Sequence, residues 1–206
     1  TPLYSSAASD VYKRQVVHAI TFLRQVVLDA KPELDRVVVI GGGGVAIDAA
    51  RVAVRCGAEV QMFCLEARDE LPGHEWELQM ALAEGIRLEP SWGVKEITGA
   101  KHVDGLILKR CTQVFDAAGR FHPIYDENMT KRVDADTVIL AIGQSPELSY
   151  LEGINVAQGI IVDPYTLQTN RPHVYAGGDA VRVVGSFLEA VLDGTLAAQS
   201  IMKTLV

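Results

Sequence analysis

The stretch Val37-Val38-Val39-Ile40-Gly41-Gly42-Gly43-Gly44-Val45-Ala46-Ile47-Asp48-Ala49-Ala50-Arg51 sets four glycines between an apolar run and a segment of helical character. Val37–Ile40 is entirely β-branched and predicts a buried-type strand. Val45–Cys56 predicts a helix, with Gly57 placed to end it. Glu59–Leu65 predicts a second strand, which completes a βαβ unit. Within the loop, Gly41-x-Gly43-x-x-Ala46 matches the dinucleotide fingerprint, with Gly42, Gly44 and Val45 at its variable positions. The first glycine permits the tight turn out of the strand. The second lets backbone approach a pyrophosphate, and the third position must be small for helix and strand to pack. Phosphates then meet the free N–H groups and the positive dipole end of the helix.

The string alone is weak evidence, but here a strand precedes it, a helix follows, and an acid lies just past the next strand. That acid is Glu66, twenty residues beyond Ala46. Its carboxylate would accept hydrogen bonds from the adenosine ribose hydroxyls and repel a 2′-phosphate, which favours NADH over NADPH. Arg68, two residues on, pulls the other way. The bland alternative for Glu66 is a solvated loop acid. Asp48 has two readings as well. It is either a helix-start acid meeting the dipole, or a hydrogen-bond acceptor for the nicotinamide carboxamide.

The remainder of the chain bounds the function. Its 206 residues are 49% hydrophobic and 22% charged, with a formal net charge of −7, an ordinary globular balance. An acidic chain without clustered Lys and Arg argues against a nucleic-acid surface. No apolar run is long enough to span a membrane. Cys56, Cys64 and Cys111 form no CxxC pair, which argues against a dithiol reductase of the thioredoxin-reductase type. A reducing cytoplasm is the simplest home. The five histidines show no metal-type pairing, so no metal site is expected. Trp76 and Trp92 are expected to pack, and Asp126-Glu127 to form a solvated acidic loop. Residues 1–15, "TPLYSSAASDVYKRQ", have little period and are expected to be a non-native leader.

Other elements follow from pattern. Val16–Leu28 has helical apolar spacing, and residues 16–35 are expected to be a connecting helix and linker. A helix is expected over His74–Glu84, and β segments over Ile86–Pro90, Lys95–Thr98 and Gly105–Phe115, the last leading into a hairpin turn at Asp116–Gly119. Thr137–Ile142 reads as another strand. Ile160–Val162 and His173–Ala176 read as short strands, and Phe187–Leu205 as a helix. This order predicts an α/β fold with a parallel sheet and a β-meander.

A second set of motifs lies downstream. "ADTVILAIGQSP" (135–146) resembles the crossover segment of two-dinucleotide flavoproteins, and "TNRPHVYAGGDA" (169–180) resembles their second FAD motif. Together with "VVVIGGGGVAIDAAR", "KRCTQVFDAAGRFHP" (109–123) and "SFLEAVLDGTLAAQSI" (186–201), they make the chain similar to FAD-dependent pyridine nucleotide oxidoreductases of the glutamate synthase small subunit type. Dihydropyrimidine dehydrogenase carries a similar module. The resemblance runs from about Val16 to the end.

The resemblance implies a Rossmann-like NAD(P)-binding domain over 36–143, inserted in a split FAD-binding domain whose C-terminal part is 144–206. Asp179, next to Gly178, would hold the ribitol or phosphate region of FAD. Glu189, Ala190 and Val191 would open a helix facing the flavin pyrimidine edge, and Ile142 and Gly143 would lie at the crossover. The implied activity is hydride transfer from NAD(P)H to FAD. Electrons would then pass through iron–sulfur centres to an acceptor such as a glutamate synthase large subunit. A non-catalytic nucleotide-binding or scaffold subunit is the alternative.

Two departures stand out. Gly44 replaces a more usual Asn or Asp, and Leu65-Glu66 stands where NADPH-using relatives carry Arg-Arg. The first FAD fingerprint and the cysteine-rich iron–sulfur segment of the family have no counterpart in these residues. The stretch is therefore expected to be a C-terminal fragment whose partner is the missing FAD and iron–sulfur region, and to be inactive alone.

Overall fold

The computed structural model describes residues 15–28, 32–182 and 185–204. The chain divides into two compact units, with the boundary between Gly143 and Gln144. Of the expected leader, all but Gln15 lies outside the described residues.

The first unit is built on a five-stranded parallel sheet in the order β1-β8-β2-β3-β4, with β1 Val16–His18, β2 Arg36–Ile40, β3 Glu59–Cys64, β4 Arg87–Pro90 and β8 Thr137–Leu140. β2 lies between β8 and β3, with Val38 opposite Val138 on one side and Gln61 on the other. Its side chains alternate between two cores. Val37 and Val39 pack with helices α1 (Ala19–Leu28), α2 (Gly44–Arg55) and α3 (Glu75–Ala83). Val38 and Ile40 pack with an antiparallel meander of β5 (Trp92–Thr98), β6 (Gly105–Phe115) and β7 (Phe121–Asp134). The unbroken β-branched run is what a strand covered on both faces requires. α2 presents Ala46, Ala49, Ala50 and Ala53 to the sheet, all fully buried. These small side chains let the helix lie close to the strands, so its N-terminus ends at the glycine loop.

The structure corrects several expectations. Val16–His18 is not the first turn of a helix but an edge strand paired with Val138–Leu140. Its β-branched residues satisfy the sheet edge, and the helix begins only at Ala19. Asp126-Glu127 is not a loop but part of β7, a fourteen-residue strand beside register shifts in its pairing with β6. Trp76 does not pack and is 62% exposed.

In the second unit, the short strands expected at 160–162 and 173–176 reduce to isolated bridges, Val156 to Ile160, Val162 to Thr169 and Gln168 to Tyr175. A 3-10 turn at Gly178–Ala180 precedes helix α4, Phe187–Thr204. The buried residues of α4 are polar, Asp193 and Ser200, while Phe187, Leu188, Leu192 and Met202 are exposed.

Candidate dinucleotide site

The glycine run divides by what surrounds each residue. Gly41 has φ +138°, and a Cβ there would lie 2.3 Å from the Ala141 carbonyl oxygen. Its N–H donates to Phe63 O at 2.8 Å, which locks the turn onto β3. Gly42 is packed too: a Cβ would meet Leu71 Cδ2 at 2.6 Å and Cys64 Cβ at 3.1 Å. Gly43 and Gly44 are different. Their nearest neighbours would be Pro72 Cγ at 3.9 Å and Glu77 Oε2 at 3.6 Å, so the protein itself leaves room there.

Gly43 is the N-cap of α2, and no side chain caps it. Its carbonyl accepts from Ala46 and Ile47. Among the described residues, nothing accepts a hydrogen bond from the amides of Gly43, Gly44 or Val45. The first two glycines are thus required by the fold. The last two would accept a Cβ with only ordinary contacts, and their amides stand uncommitted at a helix start, the arrangement that binds phosphate.

The rim comes from neighbouring loops. Glu66 is partly buried two residues past β3, and its backbone carbonyl accepts from Ser91. Its carboxylate has no hydrogen-bond or ion-pair partner among the described residues. Arg68 is not free beside it: its guanidinium makes a two-point contact with Glu75 at 2.7 and 2.9 Å. Asp48 lies exposed on α2, one residue after Ile47. Ile142 and Gly143 follow β8 directly behind Ala141; Ile142 is exposed, and Gly143 has φ +99°.

A component missed by sequence reasoning is the segment Leu71-Pro72-Gly73 between β3 and α3. It folds onto the glycine loop. Gly73 N–H donates to Gly42 O at 3.1 Å, and a Cβ on Gly73 would meet Ile47 Cδ1 at 2.6 Å.

In the second unit, Gly178 (φ +63°) and the exposed Asp179 sit in the 3-10 turn. A Cβ on Gly178 would lie 3.3 Å from Ala190 Cβ, so the turn rests against the start of α4. Glu189 is engaged in a capping box. Its carboxylate accepts from the N–H and Oγ of Ser186 at 2.8 Å, and its own N–H donates to Ser186 Oγ at 3.3 Å. Val191 is half-exposed on the same helix.

A βαβ unit with an open glycine loop, joined to a meander, is an arrangement shared with known proteins. The family profile described as "Pyridine nucleotide-disulphide oxidoreductase" matches residues 7–194. The chain belongs to this family. The chain is 38% identical over 199 residues to the NADP(+)-dependent formate dehydrogenase subunit beta of Moorella thermoacetica, covering 92% of this chain and 28% of that protein. It is 35% identical over 184 residues to the glutamate synthase [NADPH] small chain of Escherichia coli, covering 82% and 39%. The chain thus spans well under half the length of these relatives.

Among solved structures, T. acidophilum thioredoxin reductase superposes with a TM-score of 0.71 at 24% identity, covering 100% of this chain and 63% of that one. At this identity the likeness speaks for the fold alone.

The three cysteines are all free, and Cys64 and Cys111 are buried. Burial pushes the Cys64 thiol up to about 12 and raises that of Cys111, which opposes the thiolate form needed for exchange. No group of three or more His, Cys, Asp or Glu is placed to hold a metal ion among the described residues. No described helix is long and apolar enough to cross a membrane.

Proposed function

We propose that the first unit binds the pyrophosphate of a nicotinamide dinucleotide at Gly43–Ala46, and that the second carries part of a flavin site around Gly178 and Asp179. The observation that carries this reading is the set of uncommitted amides at Gly43, Gly44 and Val45, at the start of α2. The open cradle fits a diphosphate, and a positive-φ glycine followed by an exposed carboxylate fits close approach to a polyol and phosphate chain. Bound flavin and nicotinamide would supply the redox chemistry themselves. The chain's own part is to hold, orient and exclude water. Asp48, on the fingerprint helix, is the candidate for the nicotinamide carboxamide.

The module would pass electrons from NAD(P)H through FAD, and through iron–sulfur centres elsewhere, to an acceptor such as a glutamate synthase large subunit. Relatives named as a small chain and as a beta subunit support a role inside a multi-subunit assembly. Three unpaired cysteines suit a reducing cytoplasm. Those relatives are named for NADP(H), yet Glu66 at the ribose position favours NADH here.

Titration of the purified chain with NADH, followed by nicotinamide fluorescence, tests the first site. Saturable binding supports it, and none overturns it. These residues hold one strand–GxGxxA–helix unit, so the same preparation should carry far less than stoichiometric flavin. In the longer enzyme, flavin bleaching by NADH separates this reading from a scaffold role.

A further inference from the structure

We propose that Glu75, in the first turn of α3, sets the coenzyme preference of this site by occupying Arg68; the inference rests on the dinucleotide reading above. The Gly41 amide bonds Phe63 O, and Gly42 packs on Cys64. The residues that leave β3, from Leu65 to Arg68, therefore run along the flank of the glycine loop. In a βαβ unit that flank takes the adenosine ribose. It offers one carboxylate, Glu66, without a hydrogen-bond or ion-pair partner among the described residues, and one guanidinium, Arg68.

The two-point end of the arginine is engaged by Glu75. Arg68 Nη1 and Nη2 lie on the two oxygens of Glu75 at 2.9 and 2.7 Å. Glu75 is braced in turn by Gln79 Nε2 at 2.6 Å, one turn further along the same helix. The Arg68 contact holds the Glu75 carboxyl down at about 2, so it stays charged at neutral pH.

A ribose 2′-hydroxyl needs only Glu66. A 2′-phosphate needs a planar, two-point cation, and Arg68 has the right shape for it. To use it, the phosphate must displace Glu75 and then tolerate that carboxylate, with Glu66, as near neighbours. Residues 65–75 hold four acids, Glu66, Asp69, Glu70 and Glu75, against the one guanidinium of Arg68, so even a released arginine leaves the stretch net negative. Glu75 thus opposes NADPH twice, by engaging its only partner and by adding charge, and it touches neither coenzyme.

The test is the dissociation constants of NADH and NADPH for the parent chain, Glu75→Gln, Arg68→Ala and the double variant, at low and high ionic strength. Glu75→Gln keeps the side chain's length and its contact with Gln79 while freeing Arg68. We expect it to tighten NADPH roughly fivefold or more at low salt and leave NADH within about a factor of two, with the gain shrinking as salt rises. The double variant should lose the gain. Unchanged NADPH affinity in Glu75→Gln, with NADH still bound, overturns the inference and leaves the dinucleotide site standing. A gain that survives in the double variant overturns the sequestering of Arg68. A parent chain that binds neither coenzyme overturns both readings, and the melting temperature shows whether each variant is folded.

Discussion

Arg182 lays its Nε and Nη2 on the Asp193 carboxylate at 3.0 and 2.7 Å, and the same carboxylate accepts the Gly178 N–H at 2.9 Å. Asp193 is a buried acid near the middle of α4, so three donors tie the Gly178–Ala180 turn to that helix. Gly177 is pressed on the same residue, since a Cβ there would meet Asp193 Cβ at 2.7 Å. Asp193→Ala strands the Gly178 amide, at a cost of about 1–3 kcal/mol to the second unit.

The Arg182 hydrogen bonds, then the Gly178 amide, hold the Asp193 carboxyl below the usual range. A depressed carboxyl stabilises above the unfolded value of about 3.9, and that contribution is lost as pH falls through the folded value. Thermal melts of the parent should therefore steepen toward acid relative to Asp193→Asn. Parallel acid limbs would refute the assignment.

A second acid ties α2, which follows the glycine loop, to α3. Arg51 and Arg55 of α2 both reach Glu84, the C-cap of α3, at 2.6 and 2.8 Å. Hydrogen bonds from Arg55, then Arg51, hold its carboxyl at about 2. The sign is that of Asp193: the pairing is fully present at neutral pH and lost as the acid protonates near 2. Glu84→Gln should lower the melting temperature at pH 7 and narrow its deficit toward pH 2. The deficit is expected to be modest, because partly exposed pairs contribute little. A deficit that grows on acidification would refute the account.

The parts legible in the sequence were those written in backbone requirements. Gly41 and Ala46 announced a turn and a close helix, and Val37–Ile40 announced a buried strand. β7 escaped because "FHPIYDENMTKRVD" is a polar edge strand with irregular pairing, and neither its period nor its propensity is strand-like. Val16–His18 escaped because its apolar spacing fits a helix, while edge pairing with Val138–Leu140 decided otherwise. Ser186-x-x-Glu189 carried a readable capping signature that a flavin-facing role for Glu189 obscured. The Arg182–Asp193 tie and the Leu71–Gly73 cover had no local signal, because each forms through a turn whose path the sequence does not state.

Gly73 tests whether that cover matters. An alanine methyl would press into Ile47 Cδ1 at 2.6 Å and Gly42 O at 3.0 Å, and Ile47 is buried with little room to yield. Gly73→Ala should cost about 1–3 kcal/mol by overpacking. Because the displaced atoms are those behind the phosphate amides, NADH affinity should fall as well. Chemical denaturation and NADH titration check the two effects, and a variant with parent values in both would show that the cover is incidental.

The last prediction separates fold from function within one loop. Gly41→Ala places a side chain at φ +138° against a carbonyl 2.3 Å away, and neither the strain nor the clash can be relieved without moving β8. It should destabilise the first unit by more than the ~1 kcal/mol of an ordinary glycine replacement. Gly43→Ala is the opposite case. Its φ of −87° suits any residue, and the nearest atom to the new methyl is 3.9 Å off, so the melting temperature should hold. The methyl adds a side chain at the glycine through which, on the dinucleotide reading, the backbone approaches the pyrophosphate, and NADH affinity should fall roughly tenfold or more. If Gly43→Ala binds NADH as the parent does, the open half of the glycine run is not where the phosphates sit.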